Sequence, residues 1–231
     1  FPSLMSCIAN YWWVQQTGHD GMLKSCRGET KFVDDEGLIN AFSLYRTLYQ
    51  KGLVNEDATS SADALNNFLQ GKAALRASGN WEMVDLVNGL GKENLGVIAP
   101  PDIKPDAKFT NSAEGGVGQS LVVASYTKYP DIAVKLLSFL SSKPEYLEFL
   151  KISPVFPFRK DITLKELGYE GDANMEKLYK LSQNTAFWIP STTGPDIMNE
   201  IVKLCTLVLV GKMEPKEMAQ QLDKKVEEMS K

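Results

Sequence analysis

Phe68-Leu69-Gln70-Gly71-Lys72-Ala73-Ala74-Leu75, closed a few residues later by Ser78-Gly79-Asn80-Trp81, packs four structural signals into a short space. Leu65, Phe68 and Leu69 form the apolar stripe of a helix that Ser60 or Ser61 can cap and Gly71 ends. Lys72 to Ser78 then reads as a strand, Gly79-Asn80 as a turn, and Trp81 to about Asn88 as the next helix. Strands separated by helices are the pattern of an α/β domain rather than a sandwich or a bundle.

The rest of the chain continues that order in both directions. Upstream, Leu38, Ile39, Phe42, Tyr45, Leu48 and Tyr49 recur at helical spacing from Asp34 to Lys51, with Asp34 or Asp35 placed to cap and Gly52 to stop. Downstream, Leu95 to Ala99 is an apolar run ended by Pro100-Pro101, which reads as a buried strand. Residues 100–119 hold prolines and the glycines Gly115, Gly116 and Gly118, and read as a connection. Leu121 to Ala124 is the next expected strand. Pro130 to Ser142 is a strongly apolar helix, and Pro144 starts a short one through Leu150. Ala173 to Gln183 is helical, Thr185 to Gly194 is an aromatic loop, and two helices close the chain, Pro195 to Val210 and Pro215 to Met229.

At 231 residues the chain is about one and a half typical domains, long enough for a full core. Twenty-five basic against 29 acidic residues leave a net charge of −4, with no basic cluster of the kind that nucleic acid requires. No apolar run is long enough to span a bilayer. The chain opens on Phe1-Pro2 and reads as a piece of something longer. One histidine and three cysteines without a Cys-x-x-Cys pair do not make a zinc site, and no cofactor is expected. His19 lies in a turn-like Thr17-Gly18-His19-Asp20-Gly21, where it reads as a solvated loop residue rather than a catalytic base. Cys7 and Cys26 could pair in an exported protein, or remain free small hydrophobes like Cys205.

Two motifs invite chemistry. Gly115-Gly116-Val117-Gly118 lacks the Gly-Lys-Ser/Thr ending of a phosphate loop and precedes a strand instead of a helix, so it reads as a connection that could expose backbone N–H groups to a ligand. Tyr11-Trp12-Trp13 places two indoles side by side. On a helix they diverge by about 100°, so one is expected in the core and the other exposed or lining a cleft. Trp81 and Trp188 also sit at junctions between loops and elements, where ligand sites gather. Flat indole faces suit the C–H faces of sugar rings. Acidic pairs such as Asp34-Asp35 and Glu227-Glu228 read as a cap and a solvated face, not as a general acid and base.

In order, these stretches resemble the C-terminal portion of the extracellular solute-binding proteins of ABC sugar importers (family 1, like maltose-binding protein). Asn10-Tyr11-Trp12-Trp13 is similar to the family's aromatic segment ahead of a loop, and Phe32 to Gly52 to the helix that follows, with Asn55-Glu56-Asp57 as its turn. Phe68 to Leu75 with Ser78 to Trp81 is the most specific likeness. Gly96-Val97-Ile98-Ala99-Pro100-Pro101, Gly115-Gly116, Ala133 to Ser142, Val210-Gly211-Lys212 and Pro215-Lys216-Glu217 follow in family order.

The resemblance implies an α/β fold of the periplasmic-binding-protein type II kind, helix-rich with a small mixed sheet and mainly the second lobe. Residues 1–105 plus 160–231 would form that second, C-terminal lobe. Residues 113–155 would be a crossover segment belonging to an incomplete first lobe, which would leave the apolar helix face from Val134 to Leu140 exposed. The implied function is non-covalent binding of a sugar or oligosaccharide between two lobes, for delivery to ABC transporter permease subunits. It is a role without catalysis, performed outside the cytoplasm, with the membrane reached only through a lost N-terminal lipid anchor or the permease. Trp12, Trp13, Asn80, Trp81, Gly115, Gly116 and Trp188 match positions that would line the sugar cleft. A carbohydrate-active enzyme using the same aromatics, or a protein-interaction lobe, are the alternatives.

Overall fold

Asp35 decides where the first long amphipathic helix begins: its side chain accepts a hydrogen bond from Leu38 N at 3.1 Å, and the helix runs from there. In this computed structural model, which describes residues 4–56, 58, 63–103, 107, 110, 112–115, 120–153, 155, 157, 159–187 and 195–229, that helix is α2 (Glu36–Gln50). It buries Leu38, Ala41, Phe42 and Tyr45, the stripe its spacing predicts. Before it come a π-helical turn (Met5–Asn10) and α1 (Tyr11–Cys26). The segment around His19 is therefore helical, not a loop. Gly18 (φ 79°) kinks α1 in a conformation that favours glycine, and His19 itself is half-buried.

The chain divides into two compact units. The first comprises residues 1–78, 99–116 and 184–231. In it α1 and α2 share a core with α8 (Pro195–Leu209) and α9 (Pro215–Met229), through Tyr11, Trp13, Phe32, Phe42, Ile201, Leu204, Val208, Met218 and Leu222. Two polar ties lock this core. Asp223 on α9 accepts from Phe32 N (2.7 Å) and Val33 N (3.1 Å), and Arg46 on α2 pairs with Glu214 at 2.6 Å. No disulfide joins Cys7, Cys26 and Cys205. The short α3 (Ala64–Leu69) belongs to this unit and buries no side chain fully, while its expected Ser60 and Ser61 caps lie outside the described residues.

The sheet differs from the expectation. Lys72–Ser78, Leu95–Ala99 and Leu121–Ala124 are not strands in the structure. A strand exists only through a hydrogen-bonded neighbour, and none pairs with them among the described residues. Their apolar side chains are correspondingly exposed: Leu75 at 74%, Ile98 at 64%, Leu121 at 69% and Val122 at 84%. The described sheet is instead a parallel pair, not a mixed one. It joins β1 (Ala113–Gly115) and β2 (Thr185–Phe187), with Ala113 opposite Thr185, Glu114 opposite Ala186 and Gly115 opposite Phe187. Both lie in stretches that read as irregular in the sequence.

The second unit comprises residues 79–98 and 117–183. It carries α4 (Met83–Leu90), α5 (Pro130–Leu140), α6 (Lys143–Ile152) and α7 (Ala173–Ser182). Among its described residues Tyr146, Leu150 and Ile162 form one buried cluster, and Met83, Leu86, Met175 and Leu181 are buried as well. Asn174, in the first turn of α7, holds the extended 95–97 segment by donating to Leu95 O at 2.8 Å and accepting from Val97 N at 3.0 Å. The apolar face of α5 is exposed, as expected, with Val134, Leu136 and Phe139 each more than half accessible. Among the described residues no helix is long and apolar enough to cross a membrane.

Candidate functional site

The adjacent indoles are both buried, so neither is the exposed one of the pair. Trp13 has no accessible surface; its Nε1 donates to Asp35 Oδ2 at 2.7 Å and its ring leans on Phe32 with centroids 6.0 Å apart. Trp12 keeps 9% of its surface, and its Nε1 donates to the Pro101 carbonyl at 2.8 Å. The reason is that α1 is covered on more than one side, so a rotation of 100° carries an indole from one packed surface to another. Both N–H groups are spent inside the protein.

Trp81 is the exposed aromatic, 58% accessible, in a 3₁₀ turn (Asn80–Glu82) that leads into α4. Its indole folds back over Gly79, so closely that a Cβ on Gly79 would fall inside the ring. Gly79 has extended backbone and is needed for space, not for handedness. That is a physical reason for the Gly79-Asn80-Trp81 sequence: the missing side chain leaves room for a large ring that is still 58% exposed. Asn80 is half-buried beside it. These two residues belong to the second unit; Trp12, Trp13 and Gly115 belong to the first. Gly116 and Trp188 lie outside the described residues.

Around β1 the first unit gathers a set of polar groups that the sequence does not announce. Tyr11 Oη donates to Asp102 Oδ1 at 2.6 Å, and Gln15 Nε2 donates to the same oxygen at 2.6 Å. Gln15 Oε1 accepts from Ile103 N at 2.8 Å, and Ser112 N and Oγ approach the Tyr11 hydroxyl at 3.4 and 3.3 Å. Consecutive turns of α1 thus hold the chain at 101–103 and again at 112, which sets the position of β1. Burial, reinforced by the bond to Asp102, raises the Tyr11 pKa.

Next along β1 stands Glu114. Ser6 Oγ donates to its Oε2, and Asn10 Nδ2 donates to its Oε1 at 2.7 Å. Both donors come from the π-helical turn, a rare geometry that is frequent at functional sites. Burial pushes the Glu114 carboxyl up to about 8, against the opposing pull of the two hydrogen bonds. Gly115 follows directly, facing Thr185 of β2 so closely that a Cβ would meet that side chain. The signal that could have found Glu114 is its place immediately before Gly115-Gly116; its partners lie about a hundred residues away.

A hollow of about 160 Å³ lies in the second unit between α4 and α7 and is lined by Met83, Val87, Lys92, Tyr169, Asp172 and Asn174. Its polar groups are used internally: Lys92 pairs with Asp172 at 2.9 Å and Asn174 holds the 95–97 backbone. Burial pushes the Cys26 and Cys205 thiols up to about 12, which makes these two poor nucleophiles.

With this geometry in hand, the comparisons are direct. Residues 10–177 match the family model described as bacterial extracellular solute-binding protein. The chain belongs to that family. Its solute-binding fold is shared with a chitin oligosaccharide binding protein, 21% identical, with a TM-score of 0.80 over 98% of this chain and 56% of the other. A family 1 extracellular solute-binding protein from Bifidobacterium longum subsp. infantis is 22% identical, with a TM-score of 0.62 over 97% of this chain and 57% of that one. A binding protein from Bacillus subtilis in an open conformation is 16% identical, with a TM-score of 0.69 over 100% and 59%. At these identities the likeness is one of fold, and this solute-binding chain spans somewhat more than half the length of each structure. No curated protein matches it at a significant level. The periplasmic-binding-protein fold is thus present in part, helix-rich and with a small sheet, in a family of binding proteins rather than enzymes.

Proposed function

We propose that this chain is the larger part of the sugar-binding component of an ABC importer, which holds a sugar or oligosaccharide non-covalently between two lobes outside the cytoplasm and delivers it to permease subunits. The observation that carries the reading is the family match over residues 10–177, together with structural neighbours named for oligosaccharide binding. In this reading residues 1–105 with 160–231 supply the second lobe and 113–155 complete the first, an assignment about the whole protein that cuts the chain elsewhere than its two compact units do. Attachment to the membrane by an N-terminal lipid anchor belongs to the same proposal.

The residues fit such a role in kind. Trp81 offers one free indole face for stacking on a sugar ring. The Glu114 cluster offers hydrogen-bonding groups of the sort that take hydroxyls, worth about 0.5–1.5 kcal/mol each when neutral. Gly115, Gly116 and Trp188 are proposed as further contacts. Trp12 and Trp13 contribute by positioning α1, since their rings are packed inside the unit.

One observation favours a second reading. A carboxyl raised as far as Glu114 is the kind of group a glycosidase uses as its acid. Its hydrogen-bond partners, Ser6 and Asn10, are neutral, and the reading would need a second carboxylate about 5–9.5 Å away. Two assays separate the readings. Tryptophan fluorescence and isothermal titration against a panel of mono- and oligosaccharides are expected to give saturable binding. Chromogenic glycosides are expected to give no turnover; turnover that Glu114→Gln abolishes would overturn the binding role.

A further inference from the structure

Charge and hydrogen bonding inside the hollow between α4 and α7 leave one polar group over. The two ionic side chains of its wall, Lys92 and Asp172, neutralise each other through Asp172 Oδ2 at 2.9 Å. Asp172 Oδ1 accepts from Asn174 N and Met175 N, at 3.1 Å each. Both ends of the Asn174 amide are occupied by the backbone at Leu95 and Val97. Tyr169 differs from these neighbours. Its hydroxyl makes no hydrogen bond among the described residues, while burial, followed by the Asp172 charge, raises its pKa. The influence of that charge puts the hydroxyl on the Asp172 side of the wall, as a neutral O–H.

The rest of the wall is apolar and held in place. Met83 and Met175 are buried and Val87 is half-buried, while Val84 and Asn88 are exposed and form the mouth. Tyr169 is fixed on both sides of its backbone. Its N–H donates to Leu164 O at 2.9 Å, and its carbonyl accepts from Asp172 N at 3.1 Å. A hollow so built is ready before its ligand arrives. Its size is that of one ring: an apolar cavity of about 150 Å³ holds benzene, and this one has about 160 Å³. Thioethers suit the edge of an aromatic ring. A monosaccharide is a poor occupant, because it brings several hydroxyls where one group is left to meet them, and each unmet hydroxyl is a lost bond to water. A charged ligand fits no better, since it would have to split a pair whose charges already cancel. We infer that the hollow between α4 and α7 binds a neutral, ring-sized aromatic molecule with one hydroxyl, its ring against Met83, Val87 and Met175 and its hydroxyl on Tyr169 Oη. This site uses none of the residues proposed for sugar contact and does not depend on the sugar-binding reading.

Phenol is the probe, with benzene and glucose as controls. Titration calorimetry and ligand-observed NMR on the 231-residue chain are expected to show saturable phenol binding in the millimolar range. Benzene is expected to bind roughly fivefold more weakly, the worth of one neutral hydrogen bond. Glucose is expected not to displace phenol. Tyr169→Phe should bind benzene as the wild type does and lose the preference for phenol, whereas a merely structural role would weaken both ligands together. Val87→Phe puts a ring into the hollow and should abolish phenol binding. Circular dichroism checks that each variant is folded; if Val87→Phe is not, the ratio of phenol to benzene affinity in Tyr169→Phe decides. A wild type that does not bind phenol, unchanged phenol binding in folded Val87→Phe, a phenol preference kept in Tyr169→Phe, or displacement of phenol by glucose overturns the inference. None of these results bears on sugar binding elsewhere on the chain, so the two readings fail separately.

Discussion

Glu114 sets the expected response of stability to pH. Its ordinary value of 4.5 applies to the unfolded chain and a value of about 8 to the folded one, so the folded protein holds the proton more tightly. The resulting stabilisation is fully present below the ordinary value and is lost as pH climbs through about 8. Thermal unfolding should therefore show Tm falling by on the order of 5 °C between pH 5 and pH 9. Glu114→Gln should flatten that slope; an equal slope in the variant would show that another group is responsible. The tryptophans separate by the same kind of argument. Trp13→Ala leaves a cavity against Phe32 and takes one donor from Asp35 Oδ2, and is expected to cost about 3–5 kcal/mol in denaturant unfolding. Trp81→Ala removes a solvent-facing ring and should change stability by no more than about 0.5 kcal/mol while weakening sugar binding. At this scale the sequence was only partly legible. Helical spacing tells that Trp12 and Trp13 diverge, but not that both directions lead into protein. Glu114 meets Ser6 and Asn10 across the length of the chain, a proximity no local pattern encodes.

Helices read well because their signals are local. Pro215 to Met229 is found as expected, α2 starts at its Asp35 cap, and α5 and α7 end within two residues of their expected stops. Strands read poorly for the converse reason. Lys72–Ser78, Leu95–Ala99 and Leu121–Ala124 have strand-like composition without a described partner, while β1 and β2 find each other from stretches rich in glycine or aromatics. Composition proposes a strand, and only a neighbour makes one. The same lack of neighbours marks α5, whose Ile132, Val134, Leu136 and Phe139 are all more than half exposed. A face of that kind favours association. Analytical ultracentrifugation should show the chain self-associating at tens of micromolar, with the double substitution Leu136→Glu and Phe139→Glu shifting it to monomer at a stability cost within about 0.5 kcal/mol per site. A wild-type monomer at those concentrations would contradict it.

At the scale of the whole molecule, a well-buried helical unit accompanies a second unit whose α5 exposes an apolar face. The related structures are longer by roughly three quarters, and in the proposed reading the complete protein divides binding between two lobes. Affinity then follows by arithmetic. If the complete protein held its sugar near ~1 μM, about −8.2 kcal/mol, half of that energy corresponds to ~1 mM. Isothermal titration of the 231-residue chain, with tryptophan fluorescence in parallel and sugars taken to tens of millimolar, tests the solute assignment most directly. The account predicts saturable binding of one class of sugar near the millimolar range, accompanied by a fluorescence change that Trp81→Ala removes. A flat response across the whole panel would contradict it.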